Sequence, residues 1–162
     1  MPVVLRHNDV LELNIAEYHG AITLAELQAV ADFLANDRSF LKRDCLNIVF
    51  PGAVFEGIEF DGLDRIFGRY KTLYAPMSFQ IIRRSAWLCF SAAAQAHVDY
   101  WSGKRDAREA MSTTLRQFAT FEEAGDWLVL SEAETLALQT GAGFDELAHF
   151  EAPPETNRVR AV

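Results

Sequence analysis

The sequence predicts an α/β domain: a mixed five-stranded sheet, opened by an N-terminal hairpin and continued by parallel strands with helical crossovers, its helices mainly on one side. Three observations predict it. Short apolar, β-branched runs alternate along the chain with segments of helical apolar periodicity. Two Thr-x-x-Glu capping boxes, Thr23 with Glu26 and Thr120 with Glu123, mark helix starts. Pro51-Gly52, Pro76 and Gly103 fall where one element should stop.

VVLRH and VLELNI flank Asn8-Asp9, a tight-turn pair, so a hairpin is expected in which Val10, Glu12 and Asn14 alternate with Leu11, Leu13 and Ile15. Thr23 then caps a helix whose Leu24, Leu27, Val30, Ala31 and Leu34 share the face that lies on the sheet. CLNIVF, Cys45 to Phe50, has the length and β-branching of an inner strand, and Pro51 ends it because proline cannot donate to a ladder. Asp61 is the expected cap of a second helix with Leu63, Ile66, Phe67, Tyr70 and Tyr74 on one face. MSFQII, Met77 to Ile82, reads as the next strand, which the chain leaves through Arg83, Arg84 and Ser85. A long helix is expected after it, striped by Trp87, Phe90, Ala94, His97, Val98 and Trp101 and broken at Gly103. TTLRQF, Thr113 to Phe118, is the fifth strand, and FEEAGDWLVL the helix behind its capping box. Residues 131–149 read as helix interrupted near Gly141 and Gly143, and EAPPETNRVRAV as a mobile tail. The expected division is 1–130 for the sheet domain, 131–150 for a C-terminal helical extension and 151–162 for the tail.

A chain of 162 residues, half of them apolar, can bury a sizeable core as one domain. Its formal charge of -8 argues against nucleic acid, whose backbone is held chiefly by Lys and Arg. No run approaches the roughly 18 apolar residues of a membrane span, and MPVVLRHNDV lacks the basic start and apolar centre of a signal peptide, so a cytoplasmic protein is expected. Cys45 and Cys89 have no CxxC spacing and sit in apolar runs, where a thiol is a small hydrophobe. Charge is unevenly spread. Arg65 to Arg116 holds nine basic and three acidic residues, a balance of +6, whereas Glu122 to Glu151 holds eight acidic and no Lys or Arg. Two solvated surfaces are the plain reading, and a face for an anionic ligand, headgroup or partner is the functional one.

The order of elements and three strings resemble the SpoIIAA-like (STAS-type) family of small bacterial α/β proteins. The strings are CLNIVFPGAVFEGIEF, an inner strand leading into a Phe-Glu-Gly turn; MSFQIIRRSAW; and LRQFATFEEAGDWL, a strand followed by an acidic helix start and Ala-x-x-Trp-Leu. The resemblance covers about residues 3 to 130. It implies a binding or regulatory module more than an enzyme. Relatives that antagonise anti-sigma factors carry a phosphorylatable Ser or Thr in the loop after the inner strand, where a helix start favours the phosphate. Here that loop, FPGAVFEGIEFDG, has neither, so no phosphosite is assigned. Other members without the switch are candidates for apolar or lipid-like ligands, which suits a loop rich in phenylalanine.

Candidate binding residues therefore gather on this loop, the helix after it and the next strand end: Phe50, Val54, Phe55, Phe60, Phe67, Tyr70, Arg83 and Arg84. The aromatics would line a pocket or partner groove, and the two arginines would meet an anionic headgroup or carboxylate. Plain core closure is the competing account of the phenylalanines. The partner expected is a lipid-like small molecule or another protein, and an exposed aromatic face would also serve homodimerisation. No catalytic residue, metal site or cofactor is assigned, because His7, His19, His97 and His149 are scattered and no HExxH, GxSxG or GxxxxGK[ST] string occurs. The alternative is a hydrolase or transferase using the carboxylates from Glu56 to Asp64, which include Glu59 and Asp61.

Overall fold

In the computed structural model, which describes residues 2–77, 82–103 and 107–152, β1 (Val3–Asn8) and β2 (Leu13–Tyr18) form the expected hairpin, with Val3 opposite Tyr18 and Asn8 opposite Leu13. Its link is longer than the Asn8-Asp9 pair. The Asn8 carboxamide oxygen accepts from the Leu11 N–H at 2.9 Å, and Glu12 takes a φ of 50°. This side-chain turn takes Val10 to Glu12 out of the ladder, so Val10 points to solvent instead of starting the strand.

After β3 (Ala21–Ile22), helix α1 (Leu24–Asn36) starts at Thr23 with the capping box in place, Glu26 accepting from the Thr23 N–H at 2.7 Å. Val30, Ala31 and Leu34 bury its inner face. A 3-10 turn at Phe40–Lys42 leads into β4 (Asp44–Val49), which lies parallel to β2. β5 (Val54–Phe55) leaves the main sheet and pairs with β3 as a separate two-stranded ribbon. Helix α2 (Phe60–Tyr74) buries Leu63, Ile66, Phe67 and Tyr74. Its cap is Glu59, not Asp61, which sits in the first turn where the helix dipole favours a carboxylate.

The largest departure follows. The strand expected at Met77–Ile82 falls mostly on 78–81, outside the described residues, and Met77 and Ile82 are not in a strand. The strand is β6 (Arg83–Cys89), between β4 and β7 and parallel to both. Residues 83–89 are therefore extended rather than the start of a long helix, and only α3 (Gln95–Ser102) is helical in that stretch. A strand covered on both faces has no polar alternation, so its apolar residues can match a helical stripe by accident.

Short α4 (Ala107–Met111), β7 (Thr113–Phe118) and α5 (Phe121–Trp127) follow, the last capped by the Thr120 hydroxyl, which accepts from the Glu123 N–H at 3.2 Å. Helix α6 (Glu132–Thr140) ends at Gly141, whose φ of 73° needs no Cβ. Beyond it the expected helix is instead β8 (Asp145–Phe150), antiparallel to β1 with Leu5 opposite Ala148. The main sheet thus has six strands in the order β7-β6-β4-β2-β1-β8 rather than five, and residues 145–150 belong to it. Of the tail expected at 151–162, residues 153–162 lie outside the described residues.

Two apolar cores result. One, between the sheet and α1–α4, includes Leu5, Ala16, Val49, Leu63, Phe67 and Trp87; the other, under α5 and α6, includes Ile15, Leu46, Leu88, Leu128 and Leu138. Among the described residues, helices therefore cover both faces, four on one and two on the other. No helix among the described residues is long and apolar enough to cross a membrane.

Candidate functional site

Side chains on a strand alternate between faces, so parity decides what each face presents. On β4, Leu46 and Ile48 enter the core under α5 and α6, while Cys45 and Asn47 face α1–α4; on β6, Ala86 and Leu88 divide from Ser85 and Trp87 in the same way. The α1–α4 side does not close completely. Between the sheet and these helices lies a cavity of about 110 Å³. Its floor is Ala16, Tyr18, Asn47, Ser85 and Trp87, and its roof includes Val30, Leu63, Tyr70 and Val98.

Aromatic rings join end to end along one wall. Tyr18 stacks on Trp87 with centroids 5.6 Å apart, and Phe55 tilts against Tyr18 at 6.0 Å and against His97 at 5.4 Å. The His97 Nε2 lies 2.7 Å from the Ile58 carbonyl, which only an N–H can satisfy. The other ring nitrogen, Nδ1, is buried without a hydrogen-bond partner among the described residues. Trp87, 6 % exposed, likewise has a buried Nε1–H with no partner among the described residues. The Asn47 carboxamide is occupied, donating to Ser85 Oγ at 2.9 Å and to the Ala86 carbonyl at 3.2 Å.

Arg83 stands at the far end of the lining. Its Nε donates to Thr113 Oγ1 at 2.9 Å, and its Nη1 meets the carbonyls of Leu41 and Arg43 at 2.9 Å and of Phe40 at 3.3 Å. The guanidinium carbon lies 5.4 Å from the Tyr74 ring centroid. Among the described residues, Nη2 has no hydrogen-bond partner and no carboxylate forms an ion pair with Arg83. A partly buried cation held by carbonyls, a hydroxyl and a ring face, with no carboxylate beside it among the described residues, is unusual, because desolvated charge is normally paired.

The same walls raise the acid groups they enclose. Burial pushes the Cys45 thiol up to about 12 and the Tyr74 phenol up to about 12, in each case against the opposing pull of the Arg83 charge. Burial also raises the phenols of Tyr18 and Tyr70 well above their ordinary value, and the neighbouring phenols add to the effect. Cys45 is a free, buried thiol, and at this pKa it is an inert apolar group rather than a nucleophile.

Three of the residues expected from the sequence meet here: Phe55, Tyr70 and Arg83 line the cavity. The others do not. Because residues 83–89 are a strand, Arg84 points to the opposite face, where it donates to the Trp127 carbonyl at 2.7 Å and pairs with Asp44 at 3.3 Å. The two arginines therefore cannot serve one anion. Phe50 packs against the α5/α6 core and stacks on His19 at 4.2 Å. Val54 is in the β3–β5 ribbon. Phe67 is buried and meets Trp101 edge-on at 5.8 Å. Phe60 lies outside, 43 % exposed, stacked on Tyr100 at 4.3 Å. Sequence reading missed Tyr18, Asn47, Trp87 and His97. The signal available for Trp87 was parity along a strand, which the helical reading of that stretch concealed.

Glu56, Glu59, Asp61 and Asp64 are all exposed, and the Asp64 carboxylate accepts from the Tyr100 hydroxyl at 2.9 Å. None of them lines this cavity, so the structure offers no converging pair for acid–base chemistry there. No group of three or more His, Cys, Asp or Glu among the described residues is placed to hold a metal ion. Compared with known proteins, the chain matches no family model, no curated protein and no solved structure.

Proposed function

We propose that this protein is a non-catalytic ligand-binding module of the cytoplasm, with SpoIIAA-like architecture, that takes an apolar molecule with an anionic group into the space between its sheet and α1–α4. One observation carries the reading. An aromatic and aliphatic cavity is lined by Trp87 and His97, whose Nε1 and Nδ1 have no hydrogen-bond partner among the described residues, and by Arg83, which has no counter-charge among them. Ligand sites are commonly apolar concavities with a few such groups, and buried polar groups are in the large majority of cases hydrogen-bonded, so two on one cavity call for an explanation. The hairpin followed by parallel strands with crossovers supports the SpoIIAA-like assignment. The exposed loop carboxylates give the hydrolase or transferase alternative no comparable support.

Heat-stability screening against fatty acids, phospholipids and small aromatic compounds, together with pull-down from cell extract, tests the proposal. A ligand at one hundred times its Kd should stabilise the fold by about 2.7 kcal/mol, enough for a clear rise in Tm. If no compound shifts the transition and no partner is retained, the binding reading loses its support.

A further inference from the structure

The cavity's size and the bonding of Arg83 also narrow the class of ligand, an inference that rests on the binding reading above. We infer that the site takes a one-ring aromatic monocarboxylate whose carboxylate docks on Arg83 and whose ring lies among Tyr18, Tyr70 and Trp87, rather than a long-chain lipid. Size argues first. At about 110 Å³ the space is smaller than the roughly 150 Å³ engineered apolar cavity that holds a single benzene, so it admits no more than one ring, and the carboxylate has to lie at its edge on the partly buried Arg83. It is well below the roughly 300 Å³ at which sites for drug-sized ligands begin, so an extended acyl chain would have to part the sheet from its helices.

Charge argues second. The carbonyls of Phe40, Leu41 and Arg43 and the hydroxyl of Thr113 occupy Nε and Nη1, fixing the guanidinium plane and leaving Nη2 as the donor without an acceptor among the described residues. A carboxylate would supply both the missing acceptor and the missing negative charge, whereas a neutral amide supplies only an acceptor. The walls favour a ring, since the lining places aromatic faces and edges around the space. A hydrogen-bonding substituent on that ring would offer a partner to the Trp87 and His97 nitrogens that have none among the described residues.

Titration calorimetry with phenylacetate, phenylacetamide and palmitate on the full chain and on Arg83→Gln and Arg83→Lys variants tests this. Phenylacetate should bind the native protein at least tenfold more tightly than its near-isosteric amide. Arg83→Gln should bring the two within about twofold, with the acid losing far more affinity than the amide, and Arg83→Lys should keep part of the preference. Should the Gln variant fail to fold, the carboxylate-to-amide ratio on the native protein decides alone. Equal binding of acid and amide would overturn the carboxylate inference and leave the cavity reading standing. Tighter binding of palmitate than of phenylacetate would overturn the size argument. Failure of all three probes to bind would remove the cavity reading itself.

Discussion

Under α5 and α6 the sheet presents Leu13, Ile15, Leu46, Ile48, Ala86 and Leu88, which meet Ala124, Leu128, Leu138 and Phe144 in an apolar layer where every residue is at most 7 % exposed. The opposite sides of the same central strands present Ala16, Tyr18, Cys45, Asn47, Ser85 and Trp87, and there the helices stand off enough to leave a cavity. Backbone ladder and strand order are common to both faces. What differs is side-chain shape and polarity at alternate positions. A methylene-rich face closes by interdigitation, whereas rigid rings mixed with amide and hydroxyl groups fill space less completely. The contrast is what the binding proposal rests on: one face closes fully and the other leaves a cavity.

Truncation should break the closed face most severely. Leu88→Ala removes a side chain with no exposure from a layer that has little room to relax, and a loss of about 3 kcal/mol is expected in urea unfolding. A loss under about 1 kcal/mol would mean that this layer is not packed as described.

Enlargement sharpens the comparison, because the same change should act differently on the two faces. Ala86→Val adds two methyl groups to the closed layer and should cost about 1–3 kcal/mol. Ala16→Val adds them to the cavity floor and should be neutral or stabilising by up to about 1 kcal/mol. Only the second should abolish small-molecule binding, as read by calorimetry.

High pH provides a gentler probe confined to the cavity side. Tyr18, Tyr70, Tyr74 and Cys45 all line the cavity, and burial raises each of them. In the unfolded chain a thiol ionises near about 8.5 and a phenol near about 10, while in the fold Cys45 and Tyr74 keep their protons until about 12. Between these values the unfolded state binds fewer protons, so stability is fully present below about pH 8.5 and falls as pH rises. Tyr70→Phe should flatten this alkaline decline by roughly 1 kcal/mol per pH unit above about pH 10. An unchanged slope in urea unfolding at pH 10 and 11 would place that phenol in water.

Much of the framework was legible because local chemistry settles it. The Thr23 and Thr120 caps, the inner strand near Cys45–Phe50 and the strand Thr113–Phe118 depend on short-range pattern, and they stand where the sequence puts them to within a residue. The two misread strands failed for different reasons, the inner one because a buried extended segment carries no polar alternation and the edge one because its partner is distant in sequence. RRSAWLC is apolar on both sides after its arginines, and its Trp87 falls into apparent helical step with Phe90 and Ala94. DELAHF follows a helix with only Gly141 and Gly143 to signal a change, and its pairing partner, β1, lies at the other end of the chain. The site was legible in outline through Phe55, Tyr70 and Arg83, but its floor depends on which residues of three parallel strands face the same way. Misplacing β6 united Arg83 with Arg84 and concealed Trp87.

The three tryptophans test the central claim most directly, since Trp87 and Trp101 line the cavity and Trp127 packs on the other face. In a ¹H–¹⁵N spectrum of the full chain, assigned with Trp→Phe variants, titration with phenylacetate should move the indole N–H signals of Trp87 and Trp101 in a saturable way and leave that of Trp127 in place. Saturable movement of Trp127 alone, or three stationary signals up to millimolar ligand, would contradict a binding site between the sheet and α1–α4.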